Sequence, residues 1–362
     1  MRCLFFHMVL LFGVIGCRST LQTSPAAGLP APVASAAKGQ PLALGEGYAC
    51  LQNKKGQGQC LGSEGKTSAP ASWQALRAAG STPVIRQLMA RATVSCAVGV
   101  RPASLENRVL CWQPQRTRSL PSSDQDSILL SGKFPSSILS LALQKDKVCV
   151  LAVDGQVACG DLSTRGPFTL ASVKGLRSIR QLRSGESFSC ALRGDTGAIF
   201  CWGDNSAGQL GLGSSLRSES EPVAIAGFSG FATVMEAGSQ HVCAINSAGE
   251  VQCWGSNSDQ QLGMEGDKQL EPHVVRGLPA KASTLALGSR HSCAQLVDGS
   301  VWCWGAREFL GSETQGGLIP VRVPLPVASA TLIASPDRTC SQLTTGEYFC
   351  WGMEPEILAG PP

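Results

Sequence analysis

The sequence is poor in charged, aromatic and histidine residues. Of its 362 residues, 15% are charged, 6% are aromatic and only 4 are histidines. The net charge of +4 is small for this length and no basic segment is clustered, so the composition argues against a nucleic-acid-binding protein. The scarcity of histidine and the lack of any Cys-x-x-Cys motif argue against a metal site. We therefore expect no nucleic-acid partner, no metal ion and no cofactor.

The sequence also lacks an apolar run of transmembrane length. Residues 4–15 form a largely apolar run of twelve, whereas a membrane-spanning helix needs ~20 residues. Twelve residues after Arg2 are typical of the h-region of an export signal. The run ends Val14-Ile15-Gly16-Cys17, which resembles the lipobox of bacterial lipoproteins. That resemblance implies cleavage after residue 16 and a lipid on the Cys17 thiol. A plain secretory signal, cut a few residues later, is the alternative.

A nearly uncharged segment rich in Ala, Pro and Ser follows Cys17. Such a composition cannot bury a core and predicts a semi-extended tether. We therefore divide the chain into a signal peptide (1–16), a lipidated cysteine with its tether (17–39) and a folded part (40–362). This organisation predicts an extracytoplasmic protein, lipid-anchored in a bacterial cell envelope. Arg18, where inner-membrane lipoproteins of enteric bacteria carry Asp, favours the outer membrane.

Cysteine is unusually frequent, since 16 cysteines are too many for an ordinary cytosolic protein. The fourteen that follow residue 40 fall into seven pairs, with separations of 10, 15, 10, 11, 10, 10 and 10. The first members of the pairs recur every 46, 53, 41, 53, 50 and 47 residues. The residues around the cysteines also repeat, because HVCAINSAGEVQCWG and HSCAQLVDGSVWCWG align without gaps. A period near 50 residues predicts a propeller or a solenoid array.

Each pair of cysteines fits a β-hairpin. With a separation of 10, the two cysteines lie opposite each other if a three-residue loop joins their strands, and such loops usually end in a left-handed glycine. The loop's last residue then lies four before the second cysteine. In the second repeat this position is Asn107, which also tolerates positive φ. In the other six repeats it is Gly56, Gly155, Gly197, Gly249, Gly299 and Gly346.

Opposed residues in antiparallel strands are close enough for a disulfide, which should stabilise each hairpin by roughly 2–3 kcal/mol. Metal binding is excluded by the spacing, and free buried thiols are the remaining alternative. The predicted disulfides are Cys50–Cys60, Cys96–Cys111, Cys149–Cys159, Cys190–Cys201, Cys243–Cys253, Cys293–Cys303 and Cys340–Cys350.

The repeat with the clearest motif is CALRGDTGAIFCWGDNSAGQLGLG at residues 190–213. The following repeat retains the related segment CWGSNSDQQLG. Both resemble the repeat of the regulator of chromosome condensation family. The resemblance covers about residues 40–353, strongly from about 180 onward, although the first and third repeats lack the tryptophan. It implies an all-β fold, a seven-bladed β-propeller with one disulfide-stapled repeat per blade.

The sequence contains no recognisable catalytic set. His241 and His291 both stand two residues before a first cysteine, and this equal placement favours a structural role. The Trp-Gly tryptophans are expected in the core, whereas Trp73 lies outside the repeat and is our candidate partner contact. We therefore assign no catalytic, cofactor-binding or metal-binding residue. The tryptophans assigned to the core are Trp202, Trp254, Trp304 and Trp351.

These observations predict a monomeric, non-enzymatic binding module whose partner is a protein or a cell-wall glycan. Nucleotide exchange on a nuclear GTPase, the family's best-known activity, does not suit an exported protein. The alternative is an extracytoplasmic hydrolase or lyase, which requires Glu46, Glu186, His241 and His291 to converge on the channel. A structural lipoprotein without a specific ligand is a third possibility. The candidate contact loops are residues 62–84, 113–136, 204–230 and 255–281.

Overall fold

The structure is a computed structural model. The chain divides into two units, residues 1–31 and 32–362, and all described residues belong to the second. Cys17, the tether, Glu46 and Trp73 lie outside the described residues. The structure describes residues 42–45, 48–52, 58–62, 67–68, 84–91, 94–100, 107–112, 127–129, 137–163, 169–215, 218–311 and 317–352.

The described residues form seven antiparallel sheets, each built from consecutive strands. Blades 1 and 2 contain β1 (Leu42–Gly45), β2 (Tyr48–Gln52), β3 (Gly58–Gly62), β4 (Thr67–Ser68), β5 (Val84–Arg91), β6 (Val94–Val100), β7 (Asn107–Trp112) and β8 (Ser127–Leu129). Blades 3 and 4 contain β9 (Ile138–Leu143), β10 (Lys147–Ala152), β11 (Val157–Asp161), β12 (Ala171–Ser172), β13 (Ile179–Ser184), β14 (Phe188–Arg193), β15 (Ile199–Gly203) and β16 (Glu219–Ala224).

The last three blades follow the same order, from the innermost strand outward. Blades 5, 6 and 7 contain β17 (Ala232–Ala237), β18 (His241–Asn246), β19 (Val251–Ser256), β20 (Lys268–Val274), β21 (Ala282–Leu287), β22 (His291–Leu296), β23 (Val301–Gly305), β24 (Val321–Arg322), β25 (Ser329–Ser335), β26 (Arg338–Leu343) and β27 (Tyr348–Gly352). A 3-10 helix, Arg307–Phe309, is the only helical element of the described residues, in which no helix is long and apolar enough to cross a membrane.

The seven blades close into a ring. The innermost strands contact one another in chain order from β1 to β25, and β25 contacts β1. This is the seven-bladed propeller that the repeat count predicts. Every described sheet consists of strands that are consecutive in the chain, so the described residues contain no strand exchanged between the two chain ends.

The core lies between neighbouring blades, where the tryptophans of the Trp-Gly dipeptides are buried as predicted. Trp254 illustrates the packing, because its indole lies on Gly211 of the preceding blade, where a Cβ would come within 2.9 Å of Nε1. The glycine after each tryptophan has φ between 105° and 113°. At Gly255 a Cβ would also lie 2.6 Å from the Gln240 carbonyl, so the dipeptide needs glycine.

The predicted loop-end residue is confirmed in five repeats and wrong in one, although the hairpin of that repeat is present. The predicted loop-end glycines of blades 3 to 7 all have positive φ, from 68° to 88°. In blade 2, however, Asn107 begins β7 and pairs with Val100. The separation of 15 residues places the turn entirely before Asn107, which therefore extends the ladder instead of ending the loop. Gly56 lies outside the described residues.

Six of the seven predicted cysteine pairs are disulfides, with Cα atoms 4.0–4.1 Å apart. These distances are shorter than expected for an average opposed pair. In blade 5 the Asn246 amide donates to the Glu250 carbonyl, and the alternation of the ladder then makes Cys243–Cys253 a non-hydrogen-bonded pair. Cα atoms approach most closely at such pairs. Cys50 and Cys60 are directly paired in the β2–β3 ladder, and their bond stays a prediction.

Candidate interaction faces

The two ends of the propeller differ in the connections that form them. At one end lie the turns between the first and second strand of each blade, with the loops between the third and fourth strand. We call this end the belt face. At the other end, the hairpin face, lie the cysteine hairpin turns and the connections between blades. Backbone hydrogen bonds confirm the grouping, since Val153 donates to Ser137 and Ser247 donates to Phe231 on the hairpin face.

A chain of backbone hydrogen bonds links the turns of the belt face from blade to blade. The Lys145 amide donates to the Glu186 carbonyl, and the Glu186 amide donates to Ser239. Ser239 donates to Gly288, and Ser289 of the same turn donates to Pro336. Five successive blades are therefore linked around the channel mouth, and the turns of these five blades form one rigid rim.

The two histidines lie between blades, where each bonds to the following blade. His241 Nε2 is 2.9 Å from the Ser292 hydroxyl, and His291 Nε2 is 2.7 Å from the Thr339 hydroxyl. Both rings are fully buried. Each ring covers a glycine three residues earlier, where a Cβ would come within 2.2 Å of the ring. The predicted structural role is therefore the observed one.

The hydroxyl partners of these histidines were missed by the sequence interpretation, although the sequence carries a signal for them. Each partner stands one residue before the first cysteine of the next repeat. Where the preceding blade has Phe188 instead of histidine, the partner position is Val242, and both belong to one buried apolar cluster. At these three junctions a histidine is paired with a hydroxyl and a phenylalanine with an aliphatic side chain.

Burial has a strong effect on the protonation of His291. Desolvation lowers the pKa of His291 to about 3, against an opposing attraction from Asp337 and with a smaller contribution from Arg290. The ring is therefore neutral near pH 7 and donates or accepts one hydrogen bond toward Thr339. A buried neutral imidazole between two blades has no access to a substrate.

The residues that the enzyme alternative requires do not converge. Glu186 lies on the belt face with an exposed side chain, whereas His241 and His291 are sealed between blades. Glu46 lies outside the described residues. Within the described ranges, no group of three His, Cys, Asp or Glu side chains is placed to hold a metal ion. The described part of the channel thus offers no catalytic set built from these residues.

The asparagine of the Trp-Gly-x-Asn motif holds the large loops of the belt face by hydrogen bonds to their backbone. In the blade 5 loop, the Asn257 amide nitrogen donates to the Met264 and Gly266 carbonyls, and its oxygen accepts from the Leu262 amide. Asn205 makes the equivalent bonds in blade 4. Gln260, which replaces the motif glycine, adopts a φ of 64°. The motif residues are therefore internal supports that hold the loops in place.

The predicted contact loops 204–230 and 255–281 need correction, because each contains an outer strand, β16 or β20. Each range begins as a loop on the belt face, crosses the blade in a strand and ends on the hairpin face. A continuous contact surface cannot contain the whole of either range. Loops 62–84 and 113–136 fall mostly outside the described residues.

The described turns and loops of the belt face are mostly acidic. The described turns and loops of this face carry only three basic residues, Lys145, Arg290 and Arg307. Arg290 is itself paired, with Asp259 at 3.2 Å and with Glu308. The acidic residues on the same turns and loops number eight and are Asp146, Glu186, Asp204, Asp259, Glu265, Asp267, Glu308 and Asp337.

Comparison with known proteins agrees with the repeat and the fold. The family described as "Regulator of chromosome condensation (RCC1) repeat" matches residues 196–245, and a second description of the same repeat matches 179–209 and 235–261. The chain carries RCC1 repeats. Yeast (Saccharomyces cerevisiae) Prp20p, whose structure was reported with its binding to Gsp1p and histones, superposes with a TM-score of 0.65 at 18% identity, covering 88% of this chain and 83% of that one.

Two further proteins are similar in sequence to part of this chain. The human probable E3 ubiquitin-protein ligase HERC6 is 34% identical over 116 residues, 31% of this chain and 11% of its own length. The mitochondrial RCC1 domain-containing protein RUG3 of Arabidopsis thaliana is 37% identical over 101 residues, 28% of this chain and 22% of its own length. The chain thus spans a small part of these relatives, and the comparison concerns the repeat alone.

Proposed function

We propose that this protein is a non-enzymatic binding module, exported and anchored to a bacterial envelope membrane through Cys17, which binds a protein partner with its belt face. The observation that carries the proposal is the build of that face. Internal hydrogen bonds fix the loops, and acidic side chains remain exposed on them, including Glu186, Glu265, Asp267 and Glu308. Rigid loops on a repeat scaffold are where binding residues are usually found.

The charge of the belt face indicates the chemistry of the partner. Acidic side chains around a channel mouth attract a basic protein surface and raise its association rate. Protein binding is also what was reported with the structure of Prp20p, which shares this fold. A cell-wall glycan without basic groups would gain less from these carboxylates, so we favour a protein with a basic surface.

The proposal is tested by crosslinking in the native envelope. Charge reversal of two exposed loop residues, Glu265→Lys with Asp267→Lys, should reduce partner capture by roughly tenfold because two acidic charges of one belt-face loop become basic. Glu347→Lys, on the hairpin face, is the matched control and should leave capture unchanged. Unchanged capture by the double variant, or turnover of an envelope substrate by the purified protein, would overturn the proposal.

A further inference from the structure

Among the described residues, most of the exposed apolar side chains lie on the hairpin face. Seven large apolar side chains are more than a third exposed. Val274 ends β20, and Ile319 (63%) lies in the loop between β23 and β24, which belongs to the belt face. Five lie on the hairpin face: Leu139 (53% exposed), Val153 (60%), Phe231 (36%), Val297 (67%) and Val327 (41%).

These apolar residues project because of how the repeat is built. Val153 and Val297 are the first residues of the hairpin turns of blades 3 and 6. Leu139 is the unpaired residue of a β-bulge in β9, where Leu151 pairs with Ser140 and Ala152 pairs with Ile138. A bulge re-aims the side chain that it inserts. The neighbouring blade has an equivalent bulge in β13, where the inserted residue is basic, whereas the equivalent bulges of blades 5, 6 and 7 insert Thr233, Ser283 and Ala330.

Basic side chains lie among the apolar ones. Lys174 and Arg177 occupy the connection before blade 4, and the exposed Arg180 is the residue at the β13 bulge. Arg276 and Lys281 occupy the connection before blade 6. The hairpin turns also carry acidic residues (Asp154, Asp195, Glu250, Asp298 and Glu347), so the basic character is concentrated in these two connections.

The chain enters the propeller at the same face. Every innermost strand runs from the hairpin face to the belt face, and β1 is the innermost strand of blade 1. Leu42, its first residue, therefore lies at the hairpin end. A lipid anchor at Cys17 would be connected to the fold through this end of β1.

We propose that the hairpin face lies against an anionic lipid surface, with the belt face pointing away from the membrane. This rests on the proposed anchoring. Basic residues near a bilayer are attracted to anionic head groups, and exposed apolar side chains gain by entering the interface. Each contact is weak alone, but a tether turns binding into an intramolecular event with a high effective concentration. The acidic belt face would be repelled by the same surface.

Native lysines report the orientation without any substitution. Lys174 and Lys281 lie on the hairpin face, whereas Lys145 and Lys268 lie at the belt end, and all four are exposed. The chain from residue 17 onward, with an N-terminal polyhistidine tag, is attached to vesicles of phosphatidylcholine and a nickel-chelating lipid, with or without phosphatidylglycerol. Lysine acylation is then measured by mass spectrometry.

With phosphatidylglycerol present, Lys174 and Lys281 should lose reactivity by roughly threefold or more, while Lys145 and Lys268 keep theirs. Arg177→Glu with Arg276→Glu should abolish this protection, and Arg307→Glu on the belt face should preserve it. Equal protection of all four lysines, or protection of Lys145 and Lys268 instead, would overturn the orientation. Because the tag replaces the lipid, these outcomes do not depend on acylation.

The anchor itself is tested separately. In the bacterium, Cys17→Ser should move the protein from the membrane to the soluble fraction, because the thiol that would carry the lipid is gone. A Cys17→Ser protein that stayed fully in the membrane fraction would contradict the lipid anchor and leave the vesicle result intact.

Discussion

The belt face and the hairpin face come from one repeat, yet they are stabilised in different ways. On the belt face, backbone hydrogen bonds run from one blade to the next, and buried histidines reinforce two of these junctions. On the hairpin face, each described disulfide bridges a hairpin within one blade. Two of these turns also accept a backbone hydrogen bond from the next blade, Gly249 from Ala282 and Gly299 from Ser329. The turns of the belt face are therefore linked in one series from blade to blade, whereas the hairpin face combines disulfides within blades with separate contacts to the next blade, as at Gly249 and Gly299.

A side chain inserted at Gly238 of the belt face should have a much larger effect on stability than one inserted at Gly175 of the hairpin face. Gly238→Val should destabilise the protein by about 3 kcal/mol or more, since its Cβ would lie 2.2 Å from the His241 ring and 2.5 Å from the Gly288 carbonyl. Gly175→Ala, in a connection of the hairpin face, should cost only about 1 kcal/mol, because its φ is 80° but nothing lies within 4 Å.

Thermal or denaturant unfolding of both variants measures this difference. The disulfides should remain intact during the measurement, so that the two variants report on the junctions alone. A Gly175→Ala variant that is destabilised as much as Gly238→Val would remove the contrast between the two faces.

A second test concerns acid. The folded pKa of His291, about 3, lies below the ordinary value of 6.5, so in this range the unfolded chain binds a proton that the folded chain does not. Stability should therefore fall as the pH drops from about 6.5 toward 3, by on the order of a few kcal/mol in total, and this contribution should be constant above 6.5. Acidification thus destabilises the junction between blades 6 and 7, where His291 contacts Thr339.

His291→Gln should lose about 1 kcal/mol at pH 7, because its bond to Thr339 is altered, and should show a flatter decline in acid. His273→Gln, in the outer strand β20, is the control and should follow the unsubstituted protein. Melting temperatures between pH 3.5 and 7.5 provide the comparison. Parallel curves for all three proteins would show that His291 does not set the acid sensitivity.

Much of the fold was accessible from the sequence because the cysteines mark the same two strands in every repeat. Their spacing predicts the hairpins, the glycine positions and the number of blades. Asn107 was misjudged, because a longer loop shifts the turn and no local signal fixes where a longer turn ends. The junction hydroxyls Ser292 and Thr339 were missed, since they become partners of the histidines only when successive repeats are stacked.

The candidate faces were harder to predict. The ranges 204–230 and 255–281 read as long irregular loops, because outer strands such as β16 are half exposed and have no strong apolar alternation. Exposed residues such as Leu139 depend on a bulge, which the sequence does not mark. The sorting of charge between the two ends of the ring follows from topology, and only the assembled propeller shows it.

The central claim is that the belt face meets the partner and the hairpin face meets the membrane. A photo-crosslinking amino acid placed at Ser258 on the belt face and, separately, at Ser247 on the hairpin face tests it directly, since both residues are exposed. In the native envelope, the probe at Ser258 should capture a protein, and the probe at Ser247 should capture lipid. Capture of the same protein from Ser247 and not from Ser258 would contradict the account.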